Sequence, residues 1–263
     1  SPEQLDLSQT LETALQVGDY RAEDGTDCRN YGGLEGIPEA RRLFAELLHT
    51  RPESILVFGN SSLNLMYDTL VAAFLSPVPG ADKPWSQVER PAFLCPSPGY
   101  DRHFAITQRL GFENIPVPMT PTGPDMDTVE KRVASDSRIK GIWCVPVYSN
   151  PDGIVYDETT CRRLASMAAA PDFRIFWDNA YGQHHLYPEH KASVPDMLEL
   201  CDKAGHPDRV YTFTSTSKIT YAGAGVACMA ASPANLAYRK QVMFYQTIGH
   251  DKMNQLRHVR FLR

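Results

Sequence analysis

Tyr211-Thr-Phe-Thr-Ser-Thr-Ser-Lys-Ile-Thr-Tyr-Ala-Gly-Ala-Gly225 is a β-branched and aromatic run that gives way to small residues and glycines. Its first half has the composition of a strand and its second half that of a turn. Lys218 stands where one passes into the other. A buried lysine is pushed toward its neutral form, and a neutral amine attacks carbonyl carbons. A lysine on an exposed loop does neither, and this segment taken alone fits both readings.

The same layout recurs upstream. Ser54-Ile-Leu-Val-Phe58, Ala92-Phe-Leu-Cys95, Ile142-Trp-Cys-Val-Pro-Val147 and Arg174-Ile-Phe-Trp177 are short apolar runs, each followed by a polar turn. Ile115–Val117 and Val226–Ala230 add two more. Helical spacing fills the gaps: Ile37 to Leu48, with a proline in its first turn, the stretch after Ser62 up to Leu75, His103 to Leu110, and Glu158 to Ala170. Pro77–Pro91 reads as a surface loop, and 235–263 as one helix-like segment. Continuously apolar strands separated by helices predict an α/β fold, with a mainly parallel central sheet covered by helices on both faces. The expected division is an N-terminal segment (1–30), a large domain (31–235), and the start of a helix leading to a C-terminal small domain (236–263) that this chain lacks. The chain is thus expected to be a piece of a longer protein.

A composition 43% hydrophobic and 22% charged supports a sizeable core. The net charge of −5 argues against a general nucleic-acid or acidic-membrane binder. No apolar run reaches the roughly 20 residues of a membrane span. Cysteines 28, 95, 144, 161, 201 and 228 are scattered, several of them in apolar runs, so neither a zinc site nor a disulfide framework is expected, and the cytoplasm is the expected compartment. His184, His185 and His190 read as surface residues rather than metal ligands. Gly223-Ala-Gly225 does not complete a dinucleotide fingerprint.

Polar residues at the strand ends carry the chemistry, because ligands of open α/β sheets bind there. Gly59-Asn60-Ser61-Ser62 precedes a helix and suits either a phosphate or a plain N-cap. Tyr148-Ser149-Asn150-Pro151-Asp152-Gly153 is a turn that can present an amide donor. Asp178, beyond Trp177, needs a cationic partner if buried, or caps the segment that follows. Ser215 and Ser217 flank Lys218 with hydroxyls suited to phosphate or to solvent.

Asn150, Asp178 and Lys218 follow one another at intervals of 28 and 40 residues. A carboxylate for a ring nitrogen and a lysine for an aldehyde are what pyridoxal phosphate asks of a protein. With its Asn-Pro-x-Gly, Asp-x-x-Tyr and Ser-x-Ser-Lys motifs in that order, the chain resembles the fold-type I pyridoxal-phosphate-dependent aminotransferases, over about Asn30 to Ala230. The phrases Pro98-Gly-Tyr-Asp-Arg-His103 and Thr216 to Gly225 look most like a bacterial aspartate aminotransferase subgroup.

The resemblance implies that Lys218 forms a Schiff base with the cofactor and shuttles the Cα proton. It implies that Asp178 pairs with the ring nitrogen, that Asn150 and Tyr181 bond the ring oxygen, and that Tyr100 stacks on the ring. Asn60, Ser61, Ser62, Ser215 and Ser217 would cradle the phosphate, and Tyr31 would reach the phosphate of a neighbouring subunit in a homodimer. Ala224-Gly225-Val226 stand where many members carry a phosphate-binding arginine. The implied activity is transamination of an amino acid, aspartate in the first place, with 2-oxoglutarate. A β-lyase, a decarboxylase, or the effector domain of a transcriptional regulator would use the same cofactor residues.

Overall fold

The computed structural model describes residues 20–185, 189 and 191–263. His190 and most of the expected N-terminal segment lie outside them. Among the described residues eight strands form: β1 (Ile55–Val57), β2 (Ala92–Ser97), β3 (Glu113–Thr120), β4 (Gly123–Pro124), β5 (Ile139–Cys144), β6 (Arg174–Asp178), β7 (Val210–Ser215) and β8 (Ala227–Ala230). With the intervening helices they make an α/β fold. The chain divides into two units, one from Ser1–Leu65 and Phe213–Arg263, the other from Met66–Thr212.

In the second unit the strand order is β7-β6-β5-β2-β3-β4. β2 runs parallel to β3 and β5, and β5 runs parallel to β6. Both faces of β2, β5, β6 and β7 are buried, which is why these strands read as unbroken apolar runs. Leu94, Ile142, Cys144, Ile175 and Trp177 belong to one cluster with Val129, Val133, Cys161 and Leu164 from the helices Met126–Ser135 and Glu158–Ser166. The alternate residues Phe93, Trp143 and Phe176 meet as rings on the other side, with centroids 4.9–5.6 Å apart. Gly141 lies beside them: a Cβ there would sit 2.5 Å from the Phe93 ring and 2.6 Å from the Arg174 carbonyl oxygen. We expect Gly141→Ala to cost about 1–3 kcal/mol by overpacking. A thermal melt should fall by several degrees; an unchanged melt would mean that the ring layer is loosely packed.

Several boundaries differ from the sequence reading. β5 begins and ends three residues before the expected Ile142–Val147. Lys140 made its start look polar, but that side chain is buried against Asp172 at 2.7 Å. β3 runs through Pro116 and Pro118, because β4 pairs only with Met119 and Thr120 and leaves that stretch a free edge. The helix expected to reach Ala170 stops at Ser166. There Arg209 Nη1 donates to the Ala165 and Met167 carbonyls at 2.7 and 2.8 Å, satisfying the helix end.

In the first unit the order is β1-β8-β7, with β1 antiparallel to β8. The helix Pro38–Leu48 buries Ala40, Leu43, Phe44 and Leu48 on one face, as its spacing predicts. The segment read as one helix is two, Pro233–Gln246 and Lys252–Leu262. Asp251 starts the second by accepting the Asn254 N–H at 2.9 Å. Gly249 allows the intervening loop to lie against Gly32, whose carbonyl oxygen a Cβ would meet at 2.6 Å. All six cysteines are buried and unbridged. No helix among the described residues is long and apolar enough to cross a membrane.

Candidate active site

In the second unit, Tyr100, Asn150, Asp178 and Tyr181 all lie at or just beyond the carboxyl ends of β2, β5 and β6. These three parallel neighbours discharge their following turns along one edge of the sheet. Asp178 ends β6 and is buried. Its Oδ2 lies 3.1 Å from His103 Nε2, whose N–H donates to it. Its Oδ1 is buried with no hydrogen-bond partner. The carboxylate is therefore not used up in capping the next turn, which was the plain alternative.

His103, on the helix Asp101–Arg109, is buried between rings. It stacks on Trp143 with centroids 4.4 Å apart and planes 11° from parallel, and meets Tyr100 edge-on at 5.1 Å. Tyr100 is the N-cap residue of that helix, and its carbonyl accepts the His103 N–H at 3.1 Å. Burial pushes the Tyr100 phenol up; Tyr181, Asp101 and Asp178 push the same way, and Arg102 opposes them. Asn150 is half-buried in its turn, closed by the Gly153 N–H donating to the Ser149 carbonyl at 2.6 Å. Tyr181 is half-buried, its ring edge towards His184. His185 departs from its surface reading, since its Nδ1 lies 3.0 Å from the Tyr148 hydroxyl.

In the first unit, Ser61 caps the helix Ser62–Leu75, its Oγ accepting the Asn64 N–H at 3.2 Å. That bond leaves the Ser61 O–H hydrogen able to donate. Asn60 Nδ2 donates to the Gly223 carbonyl at 2.9 Å, and Ser217 Oγ donates to the Asn60 carbonyl at 3.3 Å. Ser215 Oγ takes the Ser217 N–H at 3.4 Å. Asn60, Ser61, Ser62, Ser215 and Ser217 are thus brought together around one helix N-terminus, the arrangement that binds anions. Gly225 permits the approach, because a Cβ there would meet Thr216 Oγ1 and the Ser217 N and Oγ at 3.0–3.1 Å.

Lys218 closes the short 3-10 turn Thr216–Lys218. Of the two readings left open for it, the exposed one holds: β7 ends at Ser215 and the turn carries the side chain out of the core. Tyr31 is 88% exposed. Lys252 Nζ fixes its loop by donating to the Asn30 and Gly32 carbonyls, each at 2.7 Å. Sequence reasoning assigned no role to His103, Trp143 or Asn254. His103 entered the sequence reading only as the start of a helical stretch and as the end of the quoted phrase Pro98–His103.

In the second unit the orphaned Asp178 Oδ1 suits a cationic ring nitrogen. In the first unit the serine-rich helix N-terminus suits a phosphate.

The whole chain, residues 1–263, matches the family model described as aspartate amino-transferase. It is 52% identical over 264 residues to a protein of Mycolicibacterium smegmatis named as an aminotransferase, covering 99% of this chain and 61% of that protein. The crystal structure of an aspartate transaminase from Corynebacterium glutamicum superposes with a TM-score of 0.96 at 46% identity, covering 99% of this chain and 61% of that one. The fold extends to LysN, the α-aminoadipate aminotransferase of Thermus thermophilus, solved with N-(5'-phosphopyridoxyl)-L-leucine. There the TM-score is 0.74 at 24% identity, covering 98% and 60%. The chain spans about three fifths of the length of the curated relatives it matches.

Proposed function

The chain belongs to the aspartate aminotransferase family, and from that premise we propose that its full-length protein uses pyridoxal phosphate to move an amino group from aspartate, or a similar dicarboxylic amino acid, to 2-oxoglutarate. The observation that carries this reading is the buried Asp178 carboxylate, held at Oδ2 by His103 and unpartnered at Oδ1. A buried carboxylate oxygen without a partner is costly, and a protonated ring nitrogen relieves that cost.

When bound, pyridoxal phosphate supplies an aldehyde that captures amines and a ring that takes up the electron pair left at Cα. The chain's residues do the rest. Asp178 keeps the ring nitrogen protonated, and His103 orients Asp178. Tyr100 stacks on the ring, while Asn150 and Tyr181 donate to the ring oxygen. Ser61, Ser62 and Ser215 hold the phosphate, with Asn60 and Ser217 fixing the loop between them. Lys218 is the amine that would bond the aldehyde, and the base that would move the Cα proton.

The active unit is proposed to be a homodimer in which Tyr31 reaches the partner's phosphate site. In support, Tyr31, Phe244, Tyr245 and Ile248 are all 63–88% exposed in the first unit. The loop beside Tyr31 also lies against Gly249, which follows that apolar strip. Single exposed apolar residues are ordinary, whereas a group of this size marks an interaction surface.

The full-length protein should turn yellow with pyridoxal phosphate and show a concentration-independent dimer by sedimentation. A panel of amino donors should convert the cofactor to its amine form fastest with aspartate. A colourless protein that the cofactor cannot load would end this reading. A yellow protein that converts no donor would end only the transamination part.

A further inference from the structure

Helix Lys252–Leu262 carries two side chains that grip the segment around Lys218. Asn254 Nδ2 donates to the Ala224 and Gly225 carbonyls, each at 3.0 Å. One turn further along, His258 Nε2 lies 3.0 Å from Thr220 Oγ1. Thr216, Thr220 and His258 are all buried, while Lys218 between the threonines is exposed. The amine is therefore borne outward on a buried base of two hydroxyls and an imidazole.

The donors and acceptors in that base are fixed by elimination. His258 Nδ1 lies 2.8 Å from the Asn254 carbonyl oxygen, which only accepts, so Nδ1 carries a hydrogen. Burial pushes the His258 pKa down, with Arg257 acting the same way and the Asn254 carbonyl and Asp251 opposing. In the neutral ring Nε2 is an acceptor, and the single hydroxyl hydrogen of Thr220 must point to it. Thr216 Oγ1 is already committed to the Val226 N–H at 2.9 Å, and lies 3.1 Å from Thr220 Oγ1. The Thr216 carbonyl takes the N–H groups of both Ile219 and Thr220, at 2.9 and 2.8 Å. Thr220 Oγ1 already lies 3.0 Å from that carbonyl oxygen, so without His258 its hydrogen would turn to the carbonyl whose two backbone bonds define the turn holding Lys218.

We propose that His258 is a positioning residue for Lys218, acting through the Thr220 hydroxyl to fix the turn that presents the amine. The inference rests on the reading of Lys218 as the cofactor-bonded lysine.

The test uses full-length protein loaded with pyridoxal phosphate. Thr220→Val removes only the hydroxyl, and His258→Gln retains an acceptor within reach of Thr220. Should T220V fail to accumulate, His258→Asn carries the same test, since it keeps the donor to Asn254 but cannot reach Thr220. T220V is expected to shift the pH midpoint of the cofactor's absorbance change by about half a unit or more. Its kcat should fall roughly tenfold, within the hundredfold that a 1 Å misplacement costs, while KM for the amino donor stays within about twofold and H258Q stays near wild type. An unmoved midpoint, or a rate loss that excess cofactor restores in full, would overturn the inference. A wild type that never takes up the cofactor would overturn both it and the reading beneath it.

Discussion

Lys218→Ala should leave a folded protein whose transamination rate is reduced by at least about 10⁴-fold, the upper end of what a positioned acid–base group contributes. The size follows from two roles sharing one amine: bonding the cofactor's aldehyde and moving the Cα proton. Stability should barely change, since Lys218 is exposed and surface substitutions are worth about ±0.5 kcal/mol. The residues proposed to bind the phosphate, Asn60 to Ser62 and Ser215, remain, so the variant should still hold pyridoxal phosphate, more weakly and without the wild type's yellow band. Lys218→Arg sharpens the outcome. Arginine keeps the charge but never yields a neutral nitrogen, so it should be as inactive as alanine. Activity in either variant within tenfold of wild type, measured with aspartate and 2-oxoglutarate, would show that the lysine is not the reacting amine.

Much of the fold was readable because parallel strands buried on both faces leave unbroken apolar runs. Phe93–Leu94, Ile142–Trp143 and Ile175–Phe176 each send one residue to the aliphatic side and the next to the ring layer. Where a strand carried a charge or a proline, the reading slipped. Lys140 hid the start of β5 because its partner Asp172 lies 32 residues away, and no local pattern announces that pairing. The break between the last two helices was missed because its cause, contact of Gly249 with Gly32, is equally remote.

The site followed the same division. Asn60, Asn150, Asp178 and Lys218 were singled out because strand-end polar residues stand out against apolar runs. The partners that position them were not. His103 lies 75 residues before Asp178, and Asn254 lies 29 residues beyond Gly225; each looks like an ordinary helical residue until the fold closes. The exposure of Lys218 stayed open for a related reason. Lys218 follows a buried strand, yet the 3-10 turn at Thr216 redirects it, and only the three-dimensional path shows that.

Asp178→Asn is the second large effect expected, and it separates function from stability. Removing one partner of a buried charge pair costs about 3–5 kcal/mol. If that pair is Asp178 with the cofactor's ring nitrogen, the rate should drop between roughly 150-fold and 4000-fold, at about 1.4 kcal/mol per tenfold. Cofactor-free protein should respond in the opposite sense. Asparagine has nearly the same shape and can still accept from His103 through its amide oxygen. It also replaces a buried, half-unpaired carboxylate with a neutral amide that is cheaper to desolvate. The melting temperature without cofactor should therefore stay level or rise, while the stabilisation gained on adding pyridoxal phosphate should shrink. A structural carboxylate predicts the reverse pattern: a lower melt without cofactor, and an activity loss no larger than the loss of folded protein. The two outcomes differ in sign, so one melting series with and without pyridoxal phosphate decides whether Asp178 Oδ1 is held unpaired for the ring or serves the core alone.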